Sequence, residues 1–306
     1  MSRGLIAGAA HDSPVALLDV AVAVAQGAPP PPPEITTAAR GAAPLLTHLG
    51  ADKLRAAVQT VIMSRALDVG LQWMHESGVL GVVLPELEAT VDFSQEAGRR
   101  HKDVWEHTKQ VVVQSVENPI VRWAALLHDI GKVPTRVLLP DGRVTFHRHA
   151  EVGARMWDPI ARRLGFDKGE RRDIRFLVLN HLRANAYEPS WTDAAVRRFD
   201  KEMGEHLEDL LELSCADVTS RRPGRRQEAI RNVEALRDRI LAIRSLDARI
   251  PPLPPGLGNA IMETFGLPPS KRIGDLRKLC EDAIDRGELE ERKEAPYYIE
   301  FLRDKI

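Results

Sequence analysis

Apolar residues recur at three- and four-residue spacing through most of the chain, which is typical of α-helices with one buried face. The segment 51–62 shows this spacing clearly, with polar residues on the opposite face. Ser64 and Ser77-Gly78 indicate helix ends, and Pro85 begins a further short helix. Hardly any segment alternates apolar and polar residues with period two, so the predicted fold class is all-α.

Three segments depart from the helical pattern. Val137–Phe146 holds two β-rich stretches around an Asp-Gly turn, which predicts a small hairpin or an ordered loop. Residues 1–50 are rich in Ala, Gly and Pro and include the run Pro29–Pro33. We expect a largely flexible arm there, with one short helix near Val15–Ala25. Ile250–Gly258 has the composition of a linker, and two or three short helices follow it.

These changes of pattern divide the chain into four predicted parts. The parts are an arm at 1–50, a helical neck at 51–97, a central helical domain at 98–245 and a C-terminal helical segment at 246–306. A length of 306 residues is enough for two or three packed units. We find no internal repeat.

Composition excludes several classes of protein. The chain is 43% hydrophobic and 28% charged with a formal net charge of -1, so no overall basic field indicates a nucleic-acid partner. Local basic clusters at Arg99–Lys102 and Arg221–Arg226 are either solvated surface or phosphate contacts. Two cysteines, Cys215 and Cys280, exclude a disulfide framework and fit a reducing cytoplasm. No apolar run is long enough to span a membrane.

Six ligand-type residues fall on the apolar faces of five predicted helical segments. They are His107, His128, Asp129, His149, His181 and Asp217. Imidazole and carboxylate groups bind divalent transition metals, and they are costly on an apolar face unless paired or bound. A single core histidine is more often just hydrogen-bonded, but an adjacent His-Asp pair needs partners for both groups at once. The set therefore predicts a metal site.

The order His, His-Asp, Asp, with HDIGK at its centre, resembles the HD superfamily of metal-dependent phosphohydrolases. The resemblance implies a helical bundle in which His107, His128, Asp129 and Asp217 bind a first metal ion. It assigns His149 and His181 to a second ion, with Asp129 bridging both, and His147 is a rival for the place of His149. The implied cofactor is one or two divalent ions, which are Mn, Fe, Co, Ni or Mg.

The resemblance extends to particular members of the superfamily. From Ala51 to Leu302 the chain is similar to the neck, HD domain and C-terminal helices of bacterial CCA-adding tRNA nucleotidyltransferases. The nucleotidyltransferase head of those enzymes uses a Gly-Ser turn and an Asp-x-Asp pair, and this sequence has neither. The 50 residues before the neck are too short and proline-rich for that head, so we expect a stand-alone phosphohydrolase rather than nucleotide addition.

The implied substrates are 2′,3′-cyclic nucleotides, 2′-nucleotides and small phosphomonoesters, either free or at RNA 3′ ends, with possible tRNA contact. A metal-activated water is the expected nucleophile. Asp129, Lys132 and Arg183 are the predicted catalytic residues, and Thr219 and Arg222 are weaker candidates for lining the pocket. The alternatives are a nucleotidase or dNTP triphosphohydrolase, a di-iron oxygenase, and an RNA-binding module with a structural or vestigial metal site.

Overall fold

The structure is a computed structural model that describes residues 14–93, 103–220, 224–249 and 251–306. Its N-terminal helices are α1 (Val15–Ala25), α2 (Pro33–Ala42), α3 (Ala51–Ile62), α4 (Leu67–Glu76), α5 (Val79–Val83) and α6 (Pro85–Glu88). The central elements are α7 (Val104–Gln114), α8 (Pro119–Leu127), α9 (Lys132–Thr135), β1 (Val137–Leu138), β2 (Val144–Thr145), α10 (His149–Arg163) and α11 (Lys168–Asn180). They are followed by α12 (Asp193–Met203), α13 (Leu207–Ala216), α14 (Arg225–Arg249), α15 (Leu257–Phe265), α16 (Lys271–Asp285) and α17 (Ala295–Arg303). The predicted all-α class is confirmed.

The expectation of a largely flexible arm is wrong for residues 14–50. Helix α1 covers the predicted short helix, but α2 and a 3₁₀ turn at Ala43–His48 follow it. Leu17 and Leu46 are fully buried, and α1 packs on α3 and α4. The proline run ends at Pro33, where a helix tolerates proline because its first-turn amides have no intrahelical partner. Apolar residues in and around α1 thus form part of the core, although the average composition of residues 1–50 does not indicate it.

The predicted hairpin is confirmed as a short antiparallel pair. Val137 lies opposite Thr145 and Leu138 opposite Val144. Gly142 takes a positive φ of 80° in the connecting turn, which a residue without a side chain adopts readily. Among the described residues, no helix has both the length and the apolar character that crossing a bilayer requires.

The described chain divides into two compact units. The first contains the residues up to Asn185 together with Glu208–Ile230, and the second contains Ala186–Leu207 together with Arg231–Ile306. This division does not follow the predicted boundary at residue 245, because α12 and most of α14 group with the C-terminal helices. The core of the first unit includes four tryptophans no more than 2% exposed, and the core of the second surrounds the buried Tyr298.

Candidate metal centre

All six predicted ligands converge in the first unit, but most of them lie at helix ends rather than along helix faces. Only His107 lies in the interior of a helix, α7. His128 caps the C-terminus of α8, with Asp129 next to it, and His181 caps α11 in the same way. His149 begins α10, and Asp217 follows the last residue of α13. The expectation that these residues project from buried helical stripes is therefore corrected.

Helix ends position three of the imidazoles by one repeated contact. Nδ1 of His128, His149 and His181 lies 2.8, 3.0 and 2.7 Å, respectively, from the carbonyl oxygen of the residue three positions earlier. A carbonyl only accepts, so Nδ1 carries the proton in each ring and Nε2 keeps its lone pair when the ring is neutral. Second contacts of this kind orient metal-binding histidines.

The first group of ligand atoms surrounds the Nε2 atoms of two histidines. His107 Nε2 lies 3.2 Å from His128 Nε2. Asp217 Oδ1 lies 3.0 Å from His107 Nε2 and 3.4 Å from His128 Nε2. Asp129 Oδ2 lies 3.5 and 3.3 Å from the same two nitrogens. The four residues predicted for a first ion are thus brought together.

The second group shares Asp129 with the first. His149 Nε2 lies 3.5 Å from Asp129 Oδ1 and 3.2 Å from His181 Nε2. Oδ2 of this carboxylate therefore faces His107 and His128, whereas Oδ1 faces His149, as a shared ligand would. His147, the rival of His149, is exposed, whereas His149 belongs to the group of possible ligands.

The missing side chain of Gly131 allows α10 to approach this carboxylate. A methyl group added to Gly131 would lie 2.6 Å from the main-chain nitrogen of Gly153 and closer still to the carbonyl oxygen of His149. Gly131 has an ordinary φ of -66°, so space rather than backbone conformation requires glycine there. The close approach brings His149, at the start of α10, beside Asp129.

Burial and charge shift the pKa values of the cluster strongly. Burial opposes the charged form of His128, but the carboxylates of Asp129 and Asp217 outweigh it and raise the pKa of His128 to about 10. Burial also opposes ionisation of both carboxyls, yet the facing imidazoles hold the pKa of each below its usual value. Burial lowers the pKa of His181 to about 4, and it lowers that of His149. The two carboxylates thus favour a protonated, positively charged His128, whereas burial favours the neutral forms of His149 and His181.

The donor set fits a divalent cation. Ligands bound to one cation at about 2.0–2.2 Å lie about 3 Å from one another, which is close to the separations within each group. Two neutral imidazoles whose Nε2 lone pairs face each other at 3.2 Å repel unless a proton or a cation lies between them. His107, His128, Asp129 and Asp217 would hold one ion, and Asp129, His149 and His181 a second.

The remaining predicted residues surround this cluster. Lys132 Nζ lies 2.6 Å from Asp129 Oδ2, and its side chain is only 13% exposed. Thr219 Oγ1 lies 2.9 Å from His107 Nδ1 and so supplies the second contact of that ring. Arg183 is half-buried, two residues beyond His181. Arg222 lies outside the described residues.

The two predicted basic clusters are described only in part. Arg99–Lys102 lies outside the described residues, as do the first two arginines of the other cluster. The described pair is Arg225, which is exposed, and Arg226, whose Nε donates to the carbonyl oxygen of Val218 at 3.3 Å. One arginine of the second cluster is therefore tied to the segment that follows Asp217.

Sequence reasoning missed residues that support the ligands through the main chain. Gln114 Nε2 donates to the carbonyl oxygens of Ala216 and Val218, on either side of Asp217, at 2.5 and 3.3 Å. Phe146 supplies the carbonyl that accepts from His149. A glutamine at a helix end and a carbonyl carry no sequence signal, because their role depends on distant segments.

Known proteins are similar to this chain over the region that contains the candidate metal centre. A model of the HD domain matches residues 90–222, which include all six predicted ligands. An A-adding tRNA nucleotidyltransferase of Deinococcus radiodurans is 30% identical over 256 residues, 81% of this chain and 58% of that protein. A CC-adding tRNA nucleotidyltransferase of Thermus thermophilus is 30% identical over 261 residues, 82% of this chain and 57% of that protein.

Shorter matches include the Multifunctional CCA protein of Ectopseudomonas mendocina, 32% identical over 39% of this chain and 29% of that protein. The chain spans somewhat more than half the length of the A-adding and CC-adding enzymes named above. The matched region includes the metal centre and helices on both sides of it. The chain therefore contains an HD domain at residues 90–222 and is homologous over about four-fifths of its length to A-adding and CC-adding tRNA nucleotidyltransferases.

Proposed function

We propose that this protein is a metal-dependent phosphohydrolase acting on nucleotides or RNA 3′ ends. The proposed substrates are 2′,3′-cyclic phosphodiesters, 2′-nucleotides and small phosphomonoesters. One observation carries the proposal: the two oxygens of the Asp129 carboxylate face different histidines, and a lysine lies beside this carboxylate. Divalent ions bound there would stabilise negative charge on the phosphoryl group as Lewis acids. They would also lower the pKa of a bound water molecule, so that a nucleophile is available at neutral pH.

The protein's own groups have separate tasks in this proposal. The imidazoles and carboxylates hold the ions, and the carbonyl contacts at Nδ1 keep three of the rings turned toward the cluster. Thr219 does the same for His107. Because these rings are fixed before substrate binds, little reorganisation is needed when charge develops.

Lys132 is proposed to neutralise phosphate charge. Its ammonium group lies at the edge of the cluster, against Asp129 Oδ2, and it is anchored on a short helix rather than a mobile loop. A positive group placed there would stabilise the extra negative charge of a phosphoryl group in its transition state. Arg183 is proposed as a second donor because it follows His181 by two residues.

Two features support an RNA substrate. The A-adding and CC-adding relatives are named as tRNA nucleotidyltransferases, and the match to each extends well beyond the HD domain at residues 90–222. In addition, Arg226 is tied to the segment after Asp217 and lies next to the exposed Arg225. Arginines near the end of a ligand segment suit contacts with the phosphates of a bound strand.

The test is hydrolysis of 2′,3′-cAMP, p-nitrophenyl phosphate and dGTP with a series of divalent ions. We expect metal-dependent hydrolysis of the cyclic phosphate and loss of more than a hundredfold in His128→Ala. His149→Ala and His147→Ala form a matched pair two residues apart. The first should weaken metal binding by at least about tenfold, and the second should leave it unchanged.

Other results of these assays would replace or refute the phosphohydrolase proposal. Hydrolysis of dGTP alone would replace the proposal with a triphosphohydrolase, and a mixed-valent iron signal would replace it with an oxygenase. If no phosphoester is hydrolysed with any ion, the enzyme proposal fails. In that case tRNA binding, unchanged in His128→Ala, would assign the chain to the RNA-binding alternative.

A further inference from the structure

Two aromatic side chains lie beside the metal centre and outside the buried core. Phe93 follows the last N-terminal helix, and Phe146 follows β2; both are half-buried. Their ring centres lie 6.2 Å apart with the planes inclined at 52°, so neither ring stacks flat on the other. Hydrophobic packing alone does not account for the cations that flank both rings.

Each ring has a cation next to it. Lys132 Nζ lies 5.7 Å from the ring centre of Phe146, and the guanidinium carbon of Arg136 lies 5.2 Å from that of Phe93. Arg136 is exposed, and its planar guanidinium stacks well on aromatic groups. Alternating aromatic and cationic groups on a surface are the combination that binds bases and phosphates together.

The pair is joined to the metal centre at two points. Lys132 contacts both Asp129 Oδ2, at 2.6 Å, and the ring of Phe146. The main chain of Phe146 also accepts the hydrogen bond from His149 Nδ1. A phosphate held at Lys132 would thus have an aromatic surface next to it, where the rest of a nucleotide must lie.

We propose that Phe93 and Phe146, with Arg136, form a nucleobase-binding platform that selects nucleoside phosphates over phosphoesters without a base. The proposal rests on the proposed phosphohydrolase function and names the part of the substrate that this function leaves open. Every base can stack on an aromatic side chain. The platform therefore requires that the substrate carry a base, but it does not discriminate among bases.

The test compares 2′,3′-cAMP with glycerol 1,2-cyclic phosphate, which has the same reacting group and no base. In Phe93→Ala, we expect KM for 2′,3′-cAMP to rise about five- to a hundredfold with little change in kcat, and Phe146→Leu should also raise this KM. In Phe93→Ala, the kinetics of the glycerol compound should not change. Phe146→Trp keeps an aromatic face and should restore the KM of Phe146→Leu toward the wild-type value.

A binding measurement separates this proposal from the hydrolase proposal. Calorimetric titration with adenosine 2′-monophosphate and with glycerol 2-phosphate needs no turnover, and the wild type should bind the adenosine compound at least about five times more tightly. Equal affinities, or equal losses for both compounds in Phe93→Ala, would overturn the platform. Failure of hydrolysis with retained preference for the adenosine compound would overturn the hydrolase proposal alone.

Discussion

Replacing Gly131 with alanine tests whether close packing of α10 builds the second group of ligands. Gly131 has a φ that alanine adopts without strain, so the added methyl group is the whole perturbation. That methyl group would meet main-chain atoms of His149 and Gly153, which cannot rotate away as a flexible side chain would.

The expected displacement follows from the separations. Real Cβ atoms hardly ever come within 3.0 Å of another atom, and the methyl group would lie well inside that limit from two atoms of α10. We expect α10 to retreat by about 1 Å at a cost of about 1–3 kcal/mol in the free energy of unfolding. His149 would move away from Asp129 and His181, whereas the other predicted ligands would keep their places.

The assay is titration with Mn²⁺ followed calorimetrically, together with urea denaturation. On the proposed two-ion centre, we expect Gly131→Ala to retain the first ion and to bind the second at least about tenfold more weakly. If both ions are needed, a misplacement of about 1 Å lowers kcat by about a hundredfold.

Gly41→Ala provides the control. Gly41 lies inside α2 with no atom within 4 Å of an added methyl group, so the same substitution should stabilise the protein by up to about 1 kcal/mol. Unchanged stability and unchanged binding of both ions in Gly131→Ala would refute the reasoning, because α10 would then not depend on the missing side chain.

Three further predictions concern stability and reactivity. Arg122 is 6% exposed and donates to three main-chain carbonyls, so Arg122→Met should lower the free energy of unfolding in urea by about 2–4 kcal/mol. Asp167 forms a capping box at the start of α11, and Asp167→Ala should cost about 1 kcal/mol, measured by the same denaturation. Cys280 is fully buried and burial raises the pKa of its thiol to about 11, so it should resist iodoacetamide at pH 8 while the partly exposed Cys215 reacts; mass spectrometry would distinguish them.

Much of the helical architecture was predictable because its signals are local. Helical periodicity, Pro85 at a first turn, Gly78 with positive φ and the Asp-Gly hairpin turn each act through neighbouring residues. The convergence of the candidate ligands was also predictable, because imidazoles and carboxylates in apolar surroundings need partners wherever the chain places them. The resemblance of HDIGK and its flanking fragments to the HD superfamily added which of these residues belong together.

Composition misled the prediction where burial depends on distant segments. Residues 14–50 look proline-rich as a whole, yet Leu17 and Leu46 are buried against helices that lie later in the chain. Likewise, α12 groups with the C-terminal helices although it lies inside the predicted central domain. A short stretch of sequence indicates which secondary structure is favoured there, but it does not indicate which surfaces pack together in the folded protein.

The sequence by itself determined most of the helices, the hairpin and the candidate ligand side chains, since these follow from chemistry within a few residues of each position. Only the tertiary structure decided that the ligands lie mostly at helix ends, where free carbonyls hold three of the imidazoles. It also decided that Asp129 is shared and that Phe93 meets Phe146. Those relations arise when separate segments pack together, and no single segment encodes them.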